Sequence, residues 1–281
     1  MIKGLSSAGL GDVKNLEELI LLASKNGFDT VDTSGKDLRN FVKDKGLTEA
    51  KNFLKEKNIT ISSINLSVEW RETDEVFREG LSVLLEDAKI AAKFGCTRCC
   101  TYVLPSTDYP AAYFMVLATK RLRLCAQVLK EFDIQLGLEF VGPHHLRVAW
   151  ENPFIWDMQE MIDWIEVIGE LNVGLLLDSY HWYTTGGTYE DITSLNPTQI
   201  VHVHLNDAKD LPVEQVLDND RLFPGDGVIN LNSFLNALVD IGYQGPVVQE
   251  ILTKEPFKES AHDLAKKSGE AFTKVFSSIK N

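Results

Sequence analysis

Short runs of β-branched and aliphatic residues alternate with longer amphipathic stretches from one end of the chain to the other. This alternation restricts the fold more than any other feature. Strand-like segments fall at Ile2–Ser7, Phe28–Asp32, Ile59–Asn65, Thr97–Leu104, Ile134–Glu139, Val173–Asp178, Ile200–His204 and Gly245–Glu250. Helical spacing is read between and after them at Asn15–Asn26, Lys36–Lys43, Leu47–Lys57, Asp74–Phe94, Tyr109–Phe132, Trp156–Glu170, Leu231–Ile241 and Ser260–Ser278. Eight units in 281 residues average about 35 each, near the ~30 that a right-handed βαβ repeat needs. Near-continuous apolar strands such as Val173-Gly174-Leu175-Leu176-Leu177 belong to a parallel sheet covered on both faces.

Eight such units in one closed layer make a (β/α)8 TIM barrel. The competing architecture, a doubly wound open sheet, calls for a glycine-rich turn after the first strand in a dinucleotide site, and none is present. No linker or shift in composition divides the chain, so a single barrel domain over 1–281 is expected.

Charge narrows the partners. Twenty-eight Lys and Arg stand against 41 Asp and Glu, a formal charge of −13. Such a surface repels phosphate backbones, and no basic patch or membrane-surface helix offsets it, so neither nucleic acid nor membrane is an expected partner. No apolar run is long enough to cross a bilayer, and Met1-Ile2-Lys3-Gly4-Leu5 leads straight into a strand. A cytoplasmic location is therefore expected, and a homo-oligomer is compatible with it. Cys96, Cys99, Cys100 and Cys125 are too few for a disulfide framework. The C-x-x-C within Cys96-Thr97-Arg98-Cys99-Cys100 falls in a predicted strand and reads as buried structural thiols in preference to a metal or redox site.

The chemistry gathers in the last four strands. Each ends in a side chain able to bind a hard cation: Glu139, Asp178, His204 and Glu250. One acid after a strand is an ordinary turn residue, but in a closed barrel the strand ends converge on one mouth. Three carboxylates gathered there repel one another unless a cation compensates. Three oxygen donors with one imidazole suit Mn2+ first, then Mg2+ or Co2+, and admit Zn2+.

Further motifs adjoin these positions. Asp178-Ser179-Tyr180-His181 runs on to Gly186-Gly187, and Arg221-Leu222-Phe223-Pro224-Gly225-Asp226-Gly227 precedes the helix leading to the last strand. With Leu138-Glu139-Phe140-Val141-Gly142 and the segment from Asn172 to His181, they resemble the xylose-isomerase-like sugar isomerase/epimerase family. Within it the chain looks most like the inosose isomerases. The resemblance implies the same barrel and one divalent metal held by Glu139, Asp178, His204 and Glu250. It also implies a small sugar or polyol ketone as substrate, with His181 and Arg221 contacting its oxygens.

The chemistry expected is proton transfer next to a ketone, with Glu139 and Glu250 as paired acid and base in either order. Isomerisation or epimerisation is the first reading. A dehydratase or a C-glycoside-cleaving lyase would use the same opening step. A non-catalytic barrel and an endonuclease IV-like repair enzyme are further rivals, the latter poorly served by six histidines and so acidic a chain.

Other side chains have less settled expectations. Trp70, Arg71 and Tyr102 follow the third and fourth strands, where they would form a substrate wall, Trp70 and Tyr102 above all, or else pack under loops. His202 points into the same interior as His204, about 6.6 Å lower, and reads as a hydrogen-bonded core histidine. Asp207 either orients His204 or His181 or is an exposed turn acid. His144, His145 and Arg147 stand where ketohexose epimerases of the family carry another glutamate, which argues against a hexulose epimerase.

Overall fold

The strands close into a parallel barrel in the computed structural model, which describes residues 1–280. They are β1 (Ile2–Leu5), β2 (Thr30–Ser34), β3 (Thr60–Asn65), β4 (Arg98–Val103), β5 (Gln135–Phe140), β6 (Val173–Asp178), β7 (Ile200–Leu205) and β8 (Pro246–Gln249). Each pairs with its neighbours in sequence, and β1 closes the ring by pairing with β8 from Ile2 opposite Pro246 to Leu5 opposite Gln249. The expected TIM barrel is therefore present, with strand ends moved by one or two residues.

Side-chain alternation explains how the barrel is both packed and functional. Along β5, Leu136, Leu138 and Phe140 join the apolar core, while Glu139 between them belongs to the opposite face. Asn15, Thr73, Asp157 and Ser260 start the flanking helices by accepting the backbone N–H three residues on. Each thereby satisfies a donor that the first helical turn leaves free. The second strand begins at Thr30 instead of Phe28 because Phe28 turns into the helix layer, 5.1 Å from the Phe272 ring.

The mouth carries small elements that periodicity does not reveal. Ser106–Thr107 and Asn152–Pro153 form an antiparallel pair, and His144–Arg147, Ser179–Thr184 and Tyr189–Thr193 are single helical turns. Among the described residues no helix is long and apolar enough to cross a membrane.

Candidate metal centre

Four consecutive strands of the barrel, β5 to β8, bring the predicted donors together at the mouth. Asp178, the last residue of β6, pairs directly with His204 on β7. Glu139 pairs with Leu176 on the other side of β6, and Glu250 follows β8 with its N–H on the Leu205 carbonyl. One ligand atom from each of Glu139, Asp178, His204 and Glu250 lies within 4.8 Å of all the others. His204 Nδ1 is 3.5 Å from Glu139 Oε1, 3.4 Å from Glu250 Oε2 and 3.9 Å from Asp178 Oδ2. Asp178 is fully buried, Glu139 and His204 nearly so, and Glu250 partly.

The donor set fits a cation on two counts. Glu139 Oε1 and His204 Nδ1 are buried and have no hydrogen-bond partner, which a folded protein rarely tolerates. Negative charge is also in excess, since Arg221 is the guanidinium facing Asp178, Asp218 and Glu250 together. Burial, with Glu250 nearby, pushes the Glu139 carboxyl above its usual range despite His204. Burial works against the charge on His204 too, but Glu250, Asp32 and Glu139 outweigh it and hold the imidazole well above its ordinary pKa. Glu250 is likewise desolvated, yet His204 and Arg221 keep it far below the usual carboxylate range. A divalent ion among these atoms, displacing any protons they carry, would relieve the strained ionisation of Glu139 and give both unpartnered atoms a ligand bond.

Arg221 is delivered by a clamped loop. Its backbone N–H donates to Leu252, and Leu222 exchanges two backbone bonds with Asp207. The buried Asp207 carboxylate accepts four backbone N–H groups, from Ala208, Gly225, Gly227 and Ile229. Gly227 has to be glycine, because a Cβ there would run into the Ala208 carbonyl and the Asp207 carboxylate. From this loop Arg221 Nη1 reaches Asp178 Oδ2 at 3.0 Å and Glu250 Oε2 at 2.8 Å. Asp218 fixes the other edge, accepting from Nη2 at 2.8 Å.

His181 sits on the turn of helix after β6. The Gly142 N–H donates to its Nδ1 at 3.2 Å, so in the neutral ring Nε2 carries the proton. That nitrogen lies 4.0 Å from Glu139 Oε1 and 3.9 Å from Asp218 Oδ1. A Cβ on Gly142 would collide with Thr184, so the close approach of the amide depends on glycine. Glu139, His181, His204, Arg221 and Glu250 all line one cavity of about 510 Å³.

Residues 20–274 match the sequence profile of the xylose isomerase-like TIM barrel family. The chain belongs to that family. It is 28% identical to the inosose isomerase of Halalkalibacterium halodurans, over 94% of this chain and 91% of that one. A xylose isomerase domain protein from Alicyclobacillus acidocaldarius superposes with a TM-score of 0.91 at 32% identity, covering 99% of both chains. The IolI protein, crystallised with a bound zinc atom, superposes with a TM-score of 0.82 at 21% identity, covering 99% of this chain and 98% of that one.

The remaining predicted residues divide. Tyr102 lines the 510 Å³ cavity beside Leu66 and Val141 and is half exposed. Trp70 does not reach it. Its ring is buried against Phe114, with the indole N–H on Thr101 Oγ1, because the loop after β3 folds inward onto the buried Arg121 guanidinium. Arg71 is inserted between the Trp70 and Tyr102 rings, so Trp70 supports the wall from behind. Arg147 ties the Gly142 and Thr184 carbonyls together and stacks on Trp156, which makes it a staple of the mouth. Asp207 neither orients a histidine nor faces solvent; it is the loop anchor.

His202 is fully buried with Nε2 2.8 Å from Asp32 Oδ2, as a hydrogen-bonded core histidine should be. Asp32 itself escaped the sequence reading, as did the roles of Asp218 and Asn206. Asn206 Nδ2 donates to both Asp178 oxygens and to the Glu250 carbonyl. A signal for Asp32 existed, since an ionisable residue closing an apolar barrel strand needs a buried partner.

Proposed function

We propose that this chain is a divalent-metal-dependent isomerase or epimerase of a polyhydroxy ketone, an inosose or a ketose. The observation that carries the reading is the convergence of Glu139, Asp178, His204 and Glu250 within 4.8 Å under the donors of Arg221 and His181. The inosose isomerase relative supports the substrate class, and the zinc atom of the IolI neighbour supports a divalent ion. Mn2+ is the favoured ion on donor type, with Co2+, Mg2+ and Zn2+ as alternatives.

Glu139, Asp178, His204 and Glu250 would hold the ion, which supplies Lewis acidity to a substrate carbonyl oxygen. Glu139 on β5 and Glu250 after β8 approach the centre from well-separated arcs of the barrel. One carboxylate takes the proton from the carbon beside the carbonyl; the other returns a proton to the neighbouring carbon or to the opposite face. Arg221 and the His181 Nε2–H donate to the substrate oxygens on which negative charge grows as that proton leaves. Tyr102, Leu66 and Val141 form an apolar wall against the carbon skeleton.

The test is incubation of the Mn2+-loaded protein with inososes and ketoses in D2O. Deuterium at the carbon next to the carbonyl, with an isomer as product, is the expected result. Loss of water would instead make the chain a dehydratase on the same site, and absence of exchange with every ketone would remove the reading. Glu250→Gln should lower turnover about 10²–10⁴-fold while leaving the circular-dichroism spectrum unchanged.

A further inference from the structure

Beneath the candidate centre, Asp32 on β2 joins two histidines of β7. Its Oδ2 lies 2.8 Å from His202 Nε2 and 3.4 Å from His204 Nε2, while its Oδ1 accepts from Ser62 Oγ at 2.7 Å. Asp32, Ser62, His202 and His204 are all buried, and the two imidazole rings meet edge to face at 83°. No residue between β2 and β7 in sequence announces this contact, which spans 170 positions.

We infer that Asp32, backed by His202 and Ser62, is a positioning residue for His204, holding its ring so that Nε2–H is spent on Asp32 and Nδ1 is aimed at the donor set. An imidazole can present either nitrogen by turning over about χ2, and only the orientation with Nδ1 toward Glu139, Asp178 and Glu250 completes the centre. A carboxylate on the far nitrogen selects that orientation and raises the basicity of the near one. Three donors converge on Asp32, so its own geometry is fixed from both oxygens. The inference rests on the reading that these four residues hold a divalent ion.

The cluster of Asp32, His202 and His204 also has the composition of a metal site in its own right. Geometry favours the supporting role. At 2.8 Å, His202 Nε2 and Asp32 Oδ2 are already bonded to each other through a proton. An ion on His204 Nε2 would, in addition, compete with one on Nδ1 for the same ring.

Three variants separate these possibilities: Asp32→Asn, Asp32→Ala and Ser62→Ala. Co2+ affinity is measured by calorimetry with a competing chelator, alongside the visible absorption of bound Co2+. The His204 Nε2–H resonance is followed by 15N NMR in Zn2+-loaded protein. Wild type should bind one equivalent. Asp32→Asn should bind about 10-fold and Asp32→Ala about 100-fold more weakly, with the Nε2–H resonance moved or lost. Ser62→Ala, which keeps the carboxylate, should show a smaller loss than Asp32→Asn.

Unchanged Co2+ affinity in a folded Asp32→Asn protein would overturn the inference, even if its melting temperature fell. So would a second equivalent of Co2+ in wild type that the Asp32 variants lose. Should Asp32→Ala fail to fold, the near-isosteric Asn and the Ser62 variant carry the test. A wild type that takes up no Co2+ removes the functional reading and this inference together, whereas normal uptake unaffected by Asp32→Asn removes this inference alone.

Discussion

The Arg221 guanidinium donates to the Glu250 carboxylate across 2.8 Å, joining the clamped loop between β7 and β8 to the first residue beyond β8. The same nitrogen reaches Asp178 at 3.0 Å, and a second nitrogen is held by Asp218. This fork is a geometric device as much as a charge. Lysine would supply a point charge on a flexible stem and could not occupy all three directions together. Arg221→Lys should therefore lower kcat in the exchange assay by about 10²–10³-fold, the scale of losing one oriented donor. Calorimetric metal uptake should persist, since Arg221 is not among the four donors.

Asp207 supports Arg221 at a distance. Four backbone N–H groups of the loop converge on its buried carboxylate, and none has another acceptor in sight. Asp207→Ala leaves these donors unsatisfied and should destabilise the protein by about 3 kcal/mol in urea denaturation. Turnover should fall along with stability because Arg221 loses its platform, while Glu139, Asp178 and His204, which rest on barrel strands, keep their places. A loss of stability with undiminished turnover would separate the loop from the chemistry.

The barrel and the convergence of Glu139, Asp178, His204 and Glu250 at its mouth were both legible in the chain for one physical reason. Strands covered on both faces read as apolar runs, and a polar residue ending such a run stands out, as Glu139, Asp178 and His204 do. The supports were legible only in part, because buried polar residues such as His202 and Asp32 signal that each needs a partner but nothing local marks which one. Asp32 and His202 meet only when β2 and β7 are brought across the barrel interior. Asp207 resembles any acid in a polar loop until Gly225 and Gly227 fold back onto it. Trp70 takes the second of its two expected places, packed under a loop and not in the cavity wall. Placing it at the mouth was sound on strand order, but the loop after β3 turns inward to cover Arg121, and sequence spacing carries no sign of that turn.

The cysteines test the structural reading of the C-x-x-C segment. Cys96, Cys99, Cys100 and Cys125 are free and buried. Burial pushes the Cys96 and Cys125 thiols up to about 12 and raises Cys99 and Cys100 as well. Thiolate is the reactive form, so native protein at pH 8 should be nearly inert to a disulfide reagent. All four thiols should titrate after unfolding in guanidinium chloride. Rapid native labelling of Cys99 or Cys100 would contradict the packing of β4 against its neighbours.

Metal uptake should be coupled to protons with a definite sign. In the ion-free centre, Glu250, Asp32 and Glu139 overcome burial and hold the His204 imidazole well above its ordinary pKa, so at neutral pH it keeps its proton. The Glu139 carboxyl is raised as well, chiefly by burial. An ion needs the His204 Nδ1 lone pair and the Glu139 anion, and binding must displace the protons that occupy them. Affinity should accordingly rise with pH through the neutral range, by about tenfold per unit for each proton displaced. Calorimetry of Mn2+ binding in two buffers of different ionisation enthalpy counts those protons directly. At least one should be released per ion near pH 7, and chelation should cost about 2.7 kcal/mol of stability when the ion had been present at 100 times its Kd, with a corresponding fall in melting temperature. Uptake with no proton release would mean that His204 does not contribute its Nδ1, and the four-residue centre would have to be redrawn without it.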